Sequence, residues 1–275
     1  MTSTLRHIVC YSGGHASALV AVEVVRAYGK QNVTLLNHDI AADKEHADIK
    51  RFKHEVADYL GLPVTFANIH GLTDASVIPD QFDVCVAAKA FKVGNGTELC
   101  SNRLKTAPFL AWLETHIPDK DCVLYYGFEA QETARMERRE RILGVKGYTV
   151  AFPLAQWPRT LLSTQEIGIQ PPSTYDTWKH ANCVGCLKAG KQHWYVVYCL
   201  RPDVWQKAKR AEAAIGYSVH KGETLESLEP QFSAMKAAGV PATEQIPSAK
   251  FWSQVKKQLR PTSQISLAVW EVLPT

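Results

Sequence analysis

The sequence predicts an α/β fold in which helices cover both faces of a parallel sheet. Three short apolar runs, at residues 7–11, 33–37 and 63–69, have the length and residue types of buried strands. Between the last two runs, residues 42–60 have helical periodicity, because their apolar positions recur every three or four residues. A glycine turn directly follows the first run. Strands that alternate with helices in this order form parallel sheets with right-handed crossovers.

The same criteria predict the next elements along the chain. Residues 103–116 form a helix in which Pro108 marks either a kink or the first turn. Two further strands are predicted at residues 122–128 and 148–152, with a charged helix at residues 131–143 between them. These elements extend the alternation of strands and helices to five strands.

The composition of the chain changes near residue 155. Residues 156–191 are rich in proline, glycine, tryptophan and polar residues, and they contain a Cys-x-x-Cys motif. Helical patterns follow further on. We therefore predict two parts: a sheet domain at residues 1–155 and a smaller, irregular, α-rich C-terminal part at residues 156–275.

The overall composition excludes several classes of protein. The 275 residues are 46% apolar and 21% charged, as in ordinary globular proteins. The net charge of +4 suits phosphate ligands but does not by itself indicate duplex nucleic acid. The sequence shows neither a signal peptide nor an apolar run of about 18 residues, the length that a membrane span requires. We expect a cytoplasmic protein with no membrane partner.

The glycine turn is the first candidate site. It contains Ser12, Gly13, Gly14, His15 and Ser17, between a predicted strand and a predicted helix. Glycines allow an anion to approach the backbone, and the free amides at a helix N-terminus bind phosphate oxygens. The alternative is a turn that uses glycine for its geometry alone. Its position after the first strand of a parallel sheet favours ligand binding, because ligands bind at the carboxyl ends of such strands.

Several segments together resemble a known family. Residues 12–17 are similar to the Ser-Gly-Gly-x-Asp-Ser loop of the PP-loop ATP pyrophosphatase superfamily, and more specifically to the phosphoadenosine phosphosulfate (PAPS) reductase family. Residues 37–39, 100–108 and 127–135 are similar to later motifs of that family, in the same order. The resemblance covers roughly residues 5–200. It implies a Rossmann-like sheet of the PP-loop ATPase type, with the nucleotide-binding domain at residues 1–155.

The resemblance also implies a ligand and the residues that bind it. The ligand is ATP or a related adenosine nucleotide (PAPS or adenylylsulfate), with Mg²⁺. Besides the glycine turn, the implied nucleotide contacts are Asn37, His38, Gly127, Glu132 and Arg135. The implied catalytic residues are Asp39, Arg103 and Lys105. The sequence has Ala16 where most members of the superfamily have Asp, so the role of that carboxylate toward Mg²⁺ passes to Asp39 or Asp43.

The cysteines are the second candidate site. An odd number of cysteines, seven, argues against a disulfide framework. Cys183 and Cys186 have the spacing of a metal clamp, and Cys10, Cys85 and Cys122 are assigned to the core. The resemblance implies that Cys100 joins the clamp, because family members that reduce adenylylsulfate hold a [4Fe–4S] cluster with cysteines at similar positions.

Ser101 occupies the position of the fourth cysteine in those relatives, so the fourth ligand of the predicted centre stays open. The alternatives are Cys199, His193 or no fourth ligand, and Zn²⁺ is the alternative to a [4Fe–4S] cluster. For Glu132 and Arg135, three residues apart, simple pairing on one helix face is the alternative to nucleotide binding.

The implied chemistry is adenylation or sulfur transfer. No cysteine follows Cys199, so a sulfonucleotide reductase would lack its usual C-terminal nucleophile unless Cys199 serves in that role. That enzyme and a catalytically degenerate nucleotide-binding module are the alternatives. The partners that stay open are a nucleic-acid acceptor, a sulfur donor protein and a second copy of the chain in a homodimer.

Overall fold

The computed structural model describes residues 5–94, 96–181 and 183–260. It contains a five-stranded, all-parallel sheet in the order β3-β2-β1-β4-β5. The strands are Arg6–Cys10 (β1), Val33–Asn37 (β2), Val64–Phe66 (β3), Cys122–Tyr125 (β4) and Thr149–Ala151 (β5). The predicted α/β class and parallel sheet are confirmed. Residues 261–275, the segment in which a reductase would carry its C-terminal nucleophile, lie outside the described residues.

Helices follow each strand or group of strands. In the sheet region they are His15–Tyr28 (α1), Ala47–Leu60 (α2), Gln81–Ala88 (α3), Leu99–Ser101 (α4), Ala107–His116 (α5), Thr133–Gly144 (α6) and Pro153–Gln156 (α7). The C-terminal region contains Lys191–Leu200 (α8), Pro202–Ile215 (α9), Leu225–Ala237 (α10) and Ser248–Gln258 (α11). Short 3₁₀ turns lie between several of these helices. No helix in the described ranges has both the length and the apolar character needed to cross a membrane.

Pro108 lies in the first turn of α5, which is one of the two alternatives that the sequence left open. A proline is tolerated there because it has no N–H to donate and its φ angle already suits a helix. The five residues before α5, Asn102–Thr106, form a π-helical turn that joins it to α4. Turns of this kind are frequent at functional sites. Both Arg103 and Lys105 lie in this turn.

Three apolar clusters hold the elements together. One packs α1 and α2 against one face of the sheet, and a second packs α5 and Leu143 against the other face. The third fills the C-terminal helical region around Trp194 and Trp205. That third cluster also includes Phe82, Cys85 and Leu99, so residues 82–99 pack with the helices that follow residue 156.

A buried ion-pair network joins these regions. Asp80 caps the N-terminus of α3, accepting hydrogen bonds from the amides of Phe82 and Asp83. Its carboxylate also lies 3.2 Å from Lys44 Nζ and 2.8 Å from Lys207 Nζ. Asp80 and Lys44 are each only 2% exposed. The network therefore ties the loop after β2 to α3 and α9.

We predict that Asp80→Asn destabilises the fold by about 1–3 kcal/mol, because it removes the buried carboxylate that Lys44 shares with the partly exposed Lys207. Asp83→Asn is the matched control. Asp83 pairs with the same Lys207, but its side chain is 47% exposed, so its loss should cost under about 1 kcal/mol. Chemical denaturation measures both values, and equal losses for the two variants would contradict the prediction.

Candidate functional site

The glycine turn lies where the strand order of the sheet reverses. β1 pairs with β2 on one side and with β4 on the other, so the chain after β1 and the chain after β4 emerge next to each other. In open α/β sheets, ligands bind in the crevice that forms at this point. Ser12–Gly14 follow β1, and Gly127 follows β4.

Two glycines are required here by close packing. A Cβ atom at Gly127 would lie 2.9 Å from the carbonyl carbon of Ala16 and 3.0 Å from the amide nitrogen of Ser17. A Cβ atom at Gly13 would lie 2.8 Å from Lys53 Cε, and the φ angle of +78° there strains any other residue. The turn is therefore enclosed between the end of β4 and helix α2.

Hydrogen bonds fix the shape of the turn. The hydroxyl of Ser17 donates to the carbonyl of Gly14 at 2.8 Å, and the hydroxyl of Ser12 donates to Ser17 Oγ at 3.2 Å. The amide of His15 donates to the hydroxyl of Tyr175 at 3.1 Å. Gly14 is the N-cap of α1 and has no side chain to cap the helix. Tyr175 occupies the amide of His15, so the N-terminus of α1 offers an anion the positive end of its dipole and the amides beyond His15.

Lys53 is a site residue that the sequence analysis missed. It is 1% exposed, and its ammonium group lies 3.1 Å from Glu45 Oε1 and 3.5 Å from Asn37 Oδ1. The amide of Asn37 donates to the carbonyl of Tyr11, and the hydroxyl of Tyr11 donates to the carbonyl of Lys53 at 2.8 Å. The sequence contained one signal for this residue: Lys53 lies four residues after Ile49, on the apolar face of α2, where a charged side chain is unusual.

The end of β2 adds a neutral imidazole to this region. His38 Nδ1 lies 2.7 Å from the carbonyl oxygen of Ala67. Burial lowers the pKa of His38 to about 4, and the positive charges of Lys105 and Lys53 act in the same direction. The ring is therefore uncharged at pH 7. The amide of Asp39 donates to Asn68 Oδ1 at 2.6 Å, which fixes the backbone at the position predicted to bind Mg²⁺.

Lys105 links the nucleotide side of the site to the cysteines. The sulfur of Cys183 has the largest effect on Lys105 and raises its pKa. Burial acts in the opposite direction, whereas Cys186, Cys100 and Glu45 raise the pKa further. Arg103, in the same π-helical turn, is exposed. Of these two predicted catalytic residues, Lys105 is the one that the structure brings among the other site residues.

The structure brings Cys100, Cys183 and Cys186 into one neighbourhood. Burial raises the pKa of Cys100 to about 11, and the sulfurs of Cys183 and Cys186 raise it as well. Cys85, assigned to the core, is fully buried and accepts a hydrogen bond from the amide of Cys100. Cys199 has different neighbours, because the groups that affect its pKa besides burial are Tyr195 and Lys236.

A histidine holds the Cys-x-x-Cys turn. His193 Nε2 accepts hydrogen bonds from the amides of Gly185 and Cys186 at 3.2 and 3.3 Å, and His193 Nδ1 lies 3.0 Å from Glu244 Oε1. Both ring nitrogens are therefore engaged, so His193 acts as a support of the turn rather than as an available ligand. The amide of Val184 donates to the carbonyl of Lys44 at 3.0 Å and ties the turn to the loop after β2.

The arrangement of donors bears on the predicted metal centre. Within residues 5–94, 96–181 and 183–260, no three His, Cys, Asp or Glu side chains are arranged to hold a metal ion. The thiols of Cys100, Cys183 and Cys186 are nevertheless the donor type that zinc and iron–sulfur clusters prefer. The centre stays a prediction, and no chemical step is derived through it.

Two predicted nucleotide contacts pair with each other. Arg135 forms an ion pair with Glu132 at the start of α6, and its guanidinium lies 4.3 Å from the centre of the Phe128 ring. Glu132 Oε2 also accepts from the amide of Glu129 at 3.0 Å. This is the pairing that the sequence left open as the alternative.

A comparison with models of known protein families finds no match, and a comparison with curated proteins finds none either.

We predict that Gly127→Ala destabilises the protein by about 1–3 kcal/mol, the usual cost of overpacking, because the new methyl group overlaps backbone atoms that cannot rotate away. Gly144→Ala is the control, since a Cβ atom there would meet no other atom within 4 Å and the residue ends helix α6. Thermal unfolding measures both. A stable Gly127→Ala variant would show that the turn is loosely packed.

Proposed function

We propose that this protein is a nucleotide-dependent enzyme of the PAPS reductase-like type, which binds an adenosine nucleotide at the glycine turn. One observation carries the proposal: the turn between β1 and α1 lies at the reversal of the strand order and is closed on one side by Gly127. It presents the N-terminus of α1, whose cap residue Gly14 has no side chain and whose positive dipole end favours a phosphate.

The surrounding residues suit a nucleotide polyphosphate. Ser12 and the backbone of Gly13 and Gly14 bind phosphate oxygens, and Lys105 supplies positive charge. His38 is neutral at pH 7, so it offers a hydrogen bond without adding charge. Asp39 lies at the end of β2, partly exposed, and is the carboxylate proposed to bind Mg²⁺ in place of the missing aspartate at position 16.

The neighbouring thiols favour adenylation followed by sulfur transfer. In the proposed reaction an acceptor oxygen attacks the α-phosphorus of ATP, pyrophosphate leaves, and a sulfur nucleophile then displaces AMP. The charge of Lys105 acts on His38, at the end of β2, and on Cys100 and Cys186, so we assign to it the stabilisation of negative charge during the first step. A [4Fe–4S] or Zn²⁺ centre on Cys100, Cys183 and Cys186 would supply sulfur or polarise the acceptor.

We predict that Gly14→Val abolishes ATP and PAPS binding at the glycine turn, because a branched side chain would distort the turn that is assigned to the phosphates. A Cβ atom there would lie 3.2 Å from Tyr175 Oη and 3.5 Å from Ala181 Cβ, so Tyr175 has to shift, and thermal unfolding checks that the variant is folded. Isothermal titration calorimetry measures the affinity, with Gly144→Val as the control. Unchanged affinity for both nucleotides would remove this site from consideration.

A non-catalytic nucleotide-binding module is the second candidate, and Ala16 is the observation that favours it. Pyrophosphate release separates the two functions. An enzyme releases pyrophosphate from ATP with Mg²⁺ and an acceptor present, whereas a module binds the nucleotide and releases none. The assay uses protein purified without oxygen, so that an oxygen-sensitive centre is retained.

We predict that Cys100→Ala, Cys183→Ala and Cys186→Ala each lower bound iron or zinc and the thermal midpoint together, because thiolate–metal bonds contribute to folding. Cys122→Ala is the control. It is 2% exposed, in β4, and should lower the midpoint without changing the metal content. Cys199→Ala decides the fourth ligand. Elemental analysis that finds no iron or zinc in the anaerobic wild-type protein would contradict the prediction.

A further inference from the structure

A cleft lies between the segment that precedes Cys100 and the loop that follows α9. We call it the lysine cleft, and it is lined by Phe91, Lys92, Leu187, Tyr217, Val219 and Lys221. Its volume is about 130 Å³. At about 30 Å³ for each water molecule, this is room for one planar ring system with its polar substituents outside. The lysine cleft is separate from the residues assigned to the nucleotide phosphates.

The two walls of the lysine cleft are held by hydrogen bonds. On one wall, the amide of Leu99 donates to the carbonyl of Phe91 and the amide of Val93 donates to the carbonyl of Thr97, both at 2.8 Å. On the other, the buried carboxylate of Glu212 accepts from the amides of Val219 and Leu225, both at 2.7 Å. A ligand would therefore bind without ordering the loops first.

The lining combines a flat ring with positive charge. The ring of Tyr217 is 63% exposed, whereas Phe91 and Leu187, at 5% and 8%, form an apolar floor. Neither Lys92 nor Lys221 forms an ion pair within the described part of the chain. The carboxylate in the lining, Glu98, lies 3.5 Å from Lys188 Nζ, which offsets its charge. The lysine cleft therefore suits an anion that carries a planar ring.

We propose that the lysine cleft binds a nucleotide, with the base stacked on Tyr217 and the phosphate at Lys92 and Lys221. Stacking on exposed aromatic rings with neighbouring cations is the physical basis of single-strand binding, and a free nucleotide offers the same two groups. The binding of a nucleotide here does not depend on the nucleotide at the glycine turn.

The position of the lysine cleft suggests which substrate it holds. Leu187 directly follows Cys186, and the wall that contains Phe91 and Lys92 continues through Glu98 into Cys100. A base stacked on Tyr217 would therefore lie beside the segments that carry Cys100 and Cys186. This assignment as the acceptor site rests on the proposed function, whereas the binding itself does not.

The experiment separates the two sites by working in the Gly14→Val background, where the first site is blocked. Adenosine monophosphate is titrated by calorimetry, and a short fluorescein-labelled single-stranded oligonucleotide by fluorescence anisotropy. Tyr217→Ala should weaken binding about tenfold, as expected for the loss of one stacked base. Tyr59→Ala, which removes a ring that is 51% exposed on α2, should have no effect.

The charge variants provide a second readout. Lys92→Glu and Lys221→Glu should weaken binding and reduce the salt dependence of the oligonucleotide affinity, by about 0.7 in the log–log slope for each lost phosphate contact. Lys146→Glu, at an exposed lysine that follows α6, is the matched control. Binding of the oligonucleotide alone identifies a strand as the occupant, and binding of the monophosphate identifies a small nucleotide.

Two results would overturn the proposal: no binding of either probe in the Gly14→Val background, or equal affinities for Tyr217→Ala and Tyr59→Ala. The phosphate site at the glycine turn is tested separately, by the effect of Gly14→Val on ATP binding while the lysine cleft is unchanged. Each site can therefore fail without the other.

Discussion

The contact between Gly127 and the first turn of α1 determines the geometry of the candidate site. β1 and β4 are neighbours in register, with Val9 opposite Tyr125, so the segments that leave them must pass within a few ångströms of each other. A glycine at position 127 is what allows this, since a side chain would overlap Ala16. Helix α1 cannot move away, because residues 17–24 are buried throughout. The turn is therefore a fixed frame for a ligand rather than a flexible loop.

Buried polar contacts carry this fixed geometry to the Cys-x-x-Cys turn. The backbone carbonyl of Lys44 accepts a hydrogen bond from the amide of Val184, and the ammonium group of Lys44 pairs with Asp80. Gln81, which follows Asp80, donates hydrogen bonds to the carbonyls of Val184 and Gly185 at 2.8 and 3.2 Å. Buried ion pairs are costly to desolvate, so their net contribution to stability is small when both partners are present. Here they set the position of Cys183 and Cys186 relative to the loop after β2.

Local patterns in the sequence predicted the sheet well. β2 has the predicted bounds, residues 33–37, because a buried strand between a turn and a polar loop has clear ends. β3 and β4 are shorter than predicted, since the apolar residues at their carboxyl ends belong to loops that pack on the site. The predicted boundary at residue 155 does not reveal that residues 82–99 pack with the C-terminal helices, because that packing depends on contacts between distant segments.

The candidate site was predictable only where its chemistry depends on local spacing. The glycine turn and the Cys-x-x-Cys motif have fixed local geometry. The role of His193, in contrast, depends on a hydrogen bond to Glu244, which is 51 residues away in the sequence, and on the amides of the Cys-x-x-Cys turn. Lys53 was missed for the same reason: periodicity placed it on the apolar face of α2, but its partner Glu45 lies before the helix begins. Burial of a charge is visible in a sequence pattern, and the identity of its partner is not.

Lys105 is the charge that the two halves of the site share. Burial raises the pKa of Cys100 to about 11 and also raises that of Cys186, so without a metal ion burial favours the protonated thiols. The positive charge of Lys105 favours their ionised forms, and it is also the charge assigned to the nucleotide phosphates. A bound phosphate would engage that charge and leave less of it for the thiols. In the proposed function, the phosphate and thiol chemistries would therefore be coupled through one side chain, which lies in the π-helical turn that precedes Pro108.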